Sequence, residues 1–571
     1  MARLNLSGLP DSAVVFAASL LAAIAFWLFG PYTNFGGPGY IDPWLYTGYF
    51  IHFSYLVNHG GVTYYVTRLP WIIPGILVFK IASAEAASVI LNGLISACSI
   101  SAVYLVVCRY YGRLAAAVAA IALMVNPYFA GAVSWDYPDG PAIAYALVAL
   151  ACFATSHRGR IPNAVWAGAA LALSGYTNLA VMPVLLGTLM IPAWRNRRSP
   201  LGLLREAGYV FCGGAAVTLV LAIVSKLLLN TYLFFMPQID TILYTLSHPD
   251  YLKNMWGTGN AWIPAAYRLF PSLFVLFLGG VFLLLRRKQV REVYVETYLC
   301  LAATCALFAV LEFHFHSVSL RVSYCSSYIT APVMLFAGIL LGEVIAVPAT
   351  EPEGRRAAGN WFRGLLLTAG LILPVVYGAI RQTLPSRMWT ILSLGGLAAA
   401  GVVVVFHFRP RPGVRSALAV LILVCLFLGP AIDSSLSYVW SKQELPLYRT
   451  MLAIQTAVDS DLSPERDVRF WYESDIPATG LFDSAYSLYL WGYIDLSKSL
   501  ATMPVTDLNS LISTNTTIVH LMLNQDQTAE RTRLLAGRGI RVRYERRHTV
   551  RSPAGLIYVV LQDVSADSAI H

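Results

Sequence analysis

Charge is what this sequence has least of. Only 12% of its 571 residues are Asp, Glu, Lys or Arg, and 57% are hydrophobic, a balance that cannot furnish the solvated surface of a soluble protein this long. Cysteine is sparse as well: eight in the chain, none in residues 434–571, and no Cys-x-x-Cys pair. That excludes a disulfide framework for the C-terminal part and offers no zinc or redox motif, so the cysteines read as small packing residues. No Gly-rich phosphate loop follows a strand, which argues against a cytosolic nucleotide-sugar donor. No repeat at solenoid spacing is visible.

What is present is apolar length. Near-uncharged runs fall at 12–30, 86–108, 114–132, 140–156, 163–176, 178–193, 207–229, 267–285, 297–312, 328–347, 363–380, 388–406 and 415–433, each near the length that crosses a hydrocarbon core. The chain is therefore expected to be an α-helical polytopic membrane protein with about thirteen transmembrane helices. The fifth and sixth runs are split at Ser174-Gly-Tyr-Thr-Asn178. The first has no small-residue cleavage site before Gly30-Pro31 and reads as a retained anchor rather than a removed signal peptide.

Basic residues give the orientation. With the N-terminus inside, inner segments hold nineteen Lys and Arg, among them Arg109, Arg113, Arg195 and Arg291, and outer segments hold seven. The positive-inside rule accepts that topology and places the C-terminus outside. The +10 formal charge then belongs to inner loops and requires no nucleic-acid partner. Carboxylates run the other way: Asp42, Glu85, Asp136, Asp139, Asp240, Asp250 and Glu312 fall on outer loops or outer span ends. An ionisable group at membrane depth is a functional candidate by default, so any chemistry is expected to face outward.

The first outer loop concentrates these features. It runs from Gly36 through Asp42-Pro-Trp-Leu-Tyr-Thr-Gly-Tyr-Phe-Ile-His52 and His59 to Tyr64-Tyr-Val-Thr-Arg68. Asp42-Pro43 has the form of a helix start with Asp as N-cap, and Trp44, Tyr46, Tyr49, Phe50, Phe53 and Tyr55 suit an interfacial helix along the headgroups. Capping and catalysis are compatible, because a carboxylate held by N–H groups still accepts a hydroxyl proton. A second acid pair stands in Ser134-Trp-Asp136-Tyr-Pro-Asp139-Gly-Pro141, where Asp139 either caps the next helix or joins the chemistry.

The outer cations are Arg68, Lys253 and Arg268 around the long loop 230–266, and Arg321 in the loop that also holds His314 and His316. Arg68 among Tyr64, Tyr65 and Trp71 is either a snorkelling anchor or a phosphate clamp. Lys226, near the outer end of span seven, is unusual as mere ballast. The histidines match no metal spacing. His52 and His59, seven apart on one helical face, and His314 and His316 read first as interfacial hydrogen-bonding groups, with metal ligation as the lesser alternative.

Taken together, the order of these motifs resembles the GT-C superfamily of integral membrane glycosyltransferases. The carrying features are the anchor span, a first outer loop with Asp42 near its start and Tyr64-Tyr-x-x-Arg68-x-Pro-x-x-x-Pro74 near its end, Asp136-x-Pro-Asp139, the Gly-Tyr-Thr-Asn178 break, and Tyr328-x-x-x-Pro332 before span ten. The layout is most similar to the lipid A aminoarabinose transferases and protein O-mannosyltransferases, by motif over residues 12–345 and by layout beyond. Two departures stand out: Pro43 follows Asp42 where the mannosyltransferases have a second acid, and Arg68 stands where an aminoarabinose transferase has lysine.

The resemblance implies transfer of a hexose or pentose from a polyprenyl-phosphate donor, with inversion, to an acceptor hydroxyl on a glycolipid, glycan or protein of the cell envelope. It implies the outer face of a bacterial inner membrane, with membrane lipids as surroundings. Asp42 carries over as the base, Asp139 or Asp136 as helper or alternate, and Arg68 as the phosphate-binding cation, with Tyr64, Arg321, Lys253 and Arg268 beside it. A divalent metal stays open as cofactor. Physically, displacing a phosphate makes cations at the leaving group matter more than a general acid, and the acceptor proton needs one carboxylate. Rival readings are a secondary transporter or flippase, and a lipid-linked oligosaccharide ligase or polymerase. Against transport, the ionisable groups gather at one surface and no two halves look alike.

Beyond residue 433 the runs shorten. Strand-length segments at 468–472, 517–523 and 557–561 and helical patterns at 446–459 and 528–536, the latter stopped by Gly537, predict a small α/β domain over 434–571 after a membrane domain over 1–433 with catalytic outer loops at 31–85, 133–140, 230–266 and 312–327. In the C-terminal domain 13 Lys and Arg face 15 Asp and Glu. Its cluster Arg538 to Arg551, with Arg541, Arg543, Arg546 and Arg547, reads as a solvated charged face, with lipid headgroups or an anionic acceptor as the alternative.

Overall fold

The computed structural model describes residues 11–29, 41–155, 161–248, 266–286, 290–313, 324–346, 445–462, 465–472 and 515–566, with single positions between 489 and 512. The runs at 363–380, 388–406 and 415–433 lie outside the described residues, as do Lys253, His314, His316 and Arg321.

The apolar runs form helices: α1 (Asp11–Phe29), α2 (Ile41–Gly60), α3 (Leu69–Ile81), α4 (Ala84–Tyr111), α5 (Arg113–Met124), α6 (Pro127–Val133), α7 (Asp139–Thr155), α8 (Ile161–Thr177), α9 (Met182–Thr188), α10 (Met190–Arg195), α11 (Pro200–Leu229), α12 (Met236–Ser247), α13 (Ala266–Arg286), α14 (Glu292–Phe313) and α15 (Ser327–Ala346). Among the described residues three are long and apolar enough to cross a bilayer, within α4, α11 and α14. Leu204, Phe211 and Leu227 on α11 stand 69%, 75% and 79% exposed. A helix so apolar on its open side suits lipid rather than water.

Two expected spans are interrupted, each by a residue that prefers capping to helix. The run at 114–132 divides into α5 and α6 because Asn126 accepts from the backbone N–H of Tyr128 (3.0 Å) and Phe129 (3.3 Å), with Pro127 in the first turn. The run at 178–193 becomes a 3-10 turn, Leu179–Val181, followed by the short helices α9 and α10. Here Asn178 accepts from Ala180 N–H at 3.1 Å. Glycine sets the tightest helix contact: a Cβ on Gly168 of α8 would stand 1.9 Å from Val210 O, and one on Gly213 of α11 1.9 Å from Val165 O.

The first outer loop is largely helical, α2 and α3, and α2 is not the interfacial helix expected. Trp44, Tyr46, Tyr49 and Phe50 are all buried. Phe50 meets Trp71 of α3 edge to face at 5.2 Å, and Trp44 meets Tyr448 at 5.4 Å. The aromatic content that suggested a headgroup belt packs protein against protein instead.

Tyr448 belongs to α16 (Leu445–Asp459), the first helix of the C-terminal domain. That domain is a four-stranded sheet in the order β1-β2-β4-β3, with β1 (Asp467–Tyr472) parallel to β2 (Thr516–Leu523) and β4 (Gly555–Ala566) antiparallel to β2 and to β3 (Ile540–Ser552). Period-two alternation covers both faces: Val519 and Leu521 pack toward α16, whereas Ile518 packs with Leu535 of α17 (Thr528–Ala536). Most of the arginine cluster lies on strand β3 as an exposed charged face, with Arg541, Arg543, Arg547 and Arg551 exposed and Arg546 half-buried. Arg546 pairs with Asp563 at 2.8 Å, Arg547 with Asp526 at 2.7 Å, and Arg543 donates to Ser565 at 3.0 Å.

Two further acids are buried against partners of their own. Arg195 grips Glu296 through Nε and Nη2 at 3.1 and 2.8 Å, and Glu343 accepts from Tyr111 OH at 2.8 Å and Arg291 N–H at 3.1 Å. Glu296 neutralises the Arg195 guanidinium, whereas Glu343 is held by a phenol and a backbone amide. Lys226 is also explained: it donates to Asn230 Oδ1 at 2.6 Å and lies 5.5 Å from the Tyr232 ring, closing the C-terminus of α11.

Candidate active site

Asp42 lies in the first turn of α2 without capping it. Its Oδ1 accepts from Tyr65 OH at 3.2 Å and its Oδ2 from Tyr137 OH at 3.3 Å. Both phenols come from elsewhere, Tyr65 from the turn before α3 and Tyr137 from the Asp136–Asp139 loop, so the carboxylate is aimed by tertiary structure. It remains half-buried, within reach of a substrate.

Arg68 immediately precedes α3 and is 2% exposed. Its guanidinium lies 4.2 Å from the Tyr64 ring centroid and 5.6 Å from that of Tyr46. It donates to Tyr46 OH at 2.5 Å and to Tyr64 OH, while Nε has no protein partner among the described residues. Tyr46 in turn packs edge-on to Tyr65 at 6.0 Å and Tyr137 at 5.7 Å. The same aromatic set therefore holds both Arg68 and Asp42. Arg68 makes no carboxylate ion pair among the described residues.

Asp139 opens α7, is 1% exposed, and does not cap its helix. Oδ1 accepts from Asn178 Nδ2 at 2.6 Å and from Tyr328 OH. Oδ2 is buried with no hydrogen-bond partner among the described residues. Arg68 and Asp42 both lie within its electrostatic reach. The helix break at Asn178 and the Tyr328 motif thus converge on one carboxylate from α7, α8 and α15.

Asp136 is separate. In a left-handed conformation (φ +53°), it turns into α4, accepting from Ser88 OH at 2.5 Å and Asn92 Nδ2 at 3.1 Å. Burial pushes its carboxyl up to about 7 against these two hydrogen bonds. It anchors the loop that carries Tyr137 and Asp139, and does not face Arg68. Of the two second-loop acids, Asp139 is the one brought to the cluster.

The two described candidate histidines, His52 and His59, do not converge. His52 sits at a kink in α2 (φ −119°, ψ 38°) with Nε2 3.4 Å from Asp459 of α16. Burial lowers its pKa, partly offset by Asp459. His59 is exposed, stacked on Tyr55 at 4.0 Å with Nδ1 2.9 Å from Tyr55 O. Among the described residues no three of His, Cys, Asp and Glu converge on a point, so the described part of the site does not fit a protein-held metal. Arg268 lies in the first turn of α13, its side chain outside the described residues.

Three contributors escaped sequence reasoning. Tyr137 was visible only as a residue between two acids. Tyr46 looked like a belt aromatic. Gln238 of α12 donates to Thr67 O (3.5 Å), Thr67 Oγ1 (3.4 Å) and Tyr176 O (3.2 Å), tying α12 to the residue before Arg68. No local pattern marks a lone glutamine for this.

No protein-family model and no curated protein matches the chain. Among solved structures it is similar to ArnT from Cupriavidus metallidurans bound to undecaprenyl phosphate, at 15% identity and TM-score 0.45, over 96% of this chain and 97% of that one. It is similar to the archaeal oligosaccharyltransferase AglB from Archaeoglobus fulgidus, in complex with an inhibitory peptide and a dolichol-phosphate, at 13% identity and TM-score 0.45, over 96% and 74%. It is also similar to the arabinosyltransferase EmbB from Mycobacterium smegmatis, at 16% identity and TM-score 0.32, over 76% and 42%. All three are glycosyltransferases of the GT-C superfamily, which the motifs also resemble.

Proposed function

We propose that the protein transfers a sugar from a polyprenyl-phosphate donor to an acceptor hydroxyl at the outer membrane–water boundary, with inversion at the anomeric carbon. The observation that carries this reading is Arg68: a buried guanidinium held between tyrosines, with no carboxylate ion pair among the described residues and Nε–H left over. A buried cation with no carboxylate at ion-pair distance gains most when a ligand brings the opposite charge into contact with it. A phosphate matches the fork of the guanidinium and is the leaving group of such a donor.

In this reading Asp42 accepts the acceptor hydroxyl's proton as that oxygen bonds to the anomeric carbon. The bond from that carbon to the phosphate oxygen breaks, and the electron pair leaves on polyprenyl phosphate. Negative charge builds on the leaving group, where Arg68 stabilises it. Tyr65 and Tyr137 aim Asp42, and Tyr64 and Tyr46 hold Arg68. Asp139 balances the cation when the donor is absent. The site is expected to face the periplasm of a bacterial inner membrane.

The test is transfer from a polyprenyl-phosphate sugar by the purified chain in proteoliposomes. Asp42→Asn is expected to lower the rate by at least about a hundredfold, the scale of a lost general base, with donor lipid still bound. Undiminished transfer removes Asp42 from the mechanism. Solute flux at the wild-type rate through Asp42→Asn, with no transfer by the wild type, replaces the enzyme reading with a transporter.

A further inference from the structure

We propose that Tyr448 of the C-terminal domain is a positioning residue for Asp42, supporting both the helix that bears this carboxylate and the loop that aims it. Tyr448 lies in the first turn of α16 and is 1% exposed. Its ring meets Trp44 of α2 at 5.4 Å with the planes tilted by 41°, two residues beyond Asp42. Its hydroxyl lies beside Ser88 and Asp136, which are joined by the donation of Ser88 OH to Asp136 Oδ2 at 2.5 Å. Asp136 is followed by Tyr137, whose hydroxyl donates to Asp42 Oδ2 at 3.3 Å. The contacts therefore close a ring, from Asp42 along α2 to Trp44, across to Tyr448, through Ser88 and Asp136 to Tyr137, and back to Asp42.

Further contacts fix where α16 sits. Arg449, next in sequence, grips Glu85 in the first turn of α4 through Nε and Nη2 at 3.1 and 2.9 Å. That pair is exposed and adds little stability, but it sets where α16 meets α4. At the other end of α16, Asp459 lies 3.4 Å from His52 Nε2, and beyond it Val468 N–H donates to Tyr55 OH at 3.3 Å. The helix bearing Asp42 is thus seated along the C-terminal domain. A reacting group has to be held within about 0.5 Å of its working place, and a misplacement of about 1 Å costs on the order of a hundredfold in rate. The two phenol hydrogen bonds of Asp42 are long, at 3.2 and 3.3 Å, so its aim depends on what stands behind α2 and the Tyr137 loop. Tyr448 stands behind both. The inference rests on the reading of Asp42 as the base, and it gives the C-terminal domain a part in transfer that needs no contact with substrate.

Three variants of the full chain test it. Tyr448→Phe keeps the ring on Trp44 and loses the hydroxyl, Tyr448→Leu loses both, and Val458→Ala, also buried on α16, controls for lost packing. Amide exchange is expected to quicken about tenfold across 134–145 in Tyr448→Phe, across both 134–145 and 45–52 in Tyr448→Leu, and across neither in Val458→Ala. In proteoliposomes Tyr448→Phe should lower kcat about threefold with donor affinity unchanged, and Tyr448→Leu about tenfold or more. Unchanged exchange across 134–145 in Tyr448→Phe, or a kcat in Tyr448→Leu equal to that of Val458→Ala, overturns the proposal. Absence of transfer by the wild type would instead remove the reading of Asp42 as the base, and the exchange rates still decide whether Tyr448 holds both segments.

Discussion

Asn178 ties the break in one helix to the first residue of another. Its carbonyl oxygen accepts from Ala180 N–H at 3.1 Å, and its amide donates to Asp139 Oδ1 at 2.6 Å and to Tyr328 OH at 2.9 Å. The one side chain therefore caps the 3-10 turn after α8 and orients the buried acid beside Arg68. Both ends of the amide are needed, so neither Asp nor Leu replaces it.

Replacing Asn178 by alanine removes the cap, at about 1 kcal/mol, and leaves Asp139 short of one donor. Thermal stability is expected to fall modestly while transfer falls further, because the acid is no longer held. Equal loss of activity and stability in a second cap variant, Asn126→Ala, would assign Asn178 a structural role only.

Arg68→Lys keeps the charge but loses the planar fork that reaches Tyr46 and Tyr64 together. Donor affinity should drop about tenfold or more with the acceptor KM little changed. Arg68→Ala should be worse. Unaltered donor binding in either variant removes Arg68 from the phosphate site.

His520 gives the C-terminal domain an acid-side weakness. It is buried on β2 against Trp471, at 5.2 Å, with Nε2 2.9 Å from Gln562 Oε1. Burial, reinforced by Arg531, lowers its pKa to about 3, against about 6.5 for a free histidine. The unfolded chain binds the proton first, so the neutral ring's contribution is complete above about pH 6.5 and lost as pH falls toward 3. Amide exchange in β2 should accelerate from pH 7 to pH 5, after correction for intrinsic rates, and less so in His520→Gln.

Gly213→Val should be among the most damaging substitutions far from the site, because the new side chain would meet the Val165 carbonyl in the tightest helix contact of the structure. Overpacking of this kind costs typically 1–3 kcal/mol, occasionally more. A melting temperature equal to the wild type's would show that α8 and α11 separate without cost.

Much of this protein follows from local chemistry. Helix positions follow from apolar length, the break near Asn178 from Ser174-Gly-Tyr-Thr-Asn178, and β2 and α17 from periodicity and Gly537. These are one-dimensional signals, since backbone hydrogen bonding and burial act along a single element. The spans at 363–380, 388–406 and 415–433 lie outside the described residues. Where an aromatic or charged residue is used is a different matter. Trp44 in sequence suits a membrane surface equally well, and only α16 arriving from four hundred residues away makes it core. The arginines of β3 are solvated as their sequence suggests, but their pairing with Asp526 and Asp563 exists only once the sheet forms.

The opening loop divides the same way. Its sequence alone marked Asp42 and Arg68 as an acid and a cation of interest, because ionisable groups are rare and costly near a bilayer. Which groups surround them, Tyr65 and Tyr137 on the acid, Tyr46 and Tyr64 on the cation, and Asp139 rather than Asp136 beside them, was decided by the packing of α2, α3, α7, α8 and α15. Hydrogen bonds and charge interactions fall off within a few ångströms, so partners separated by up to about 190 positions in the chain, as Asp139 and Tyr328 are, exist only once the helices meet.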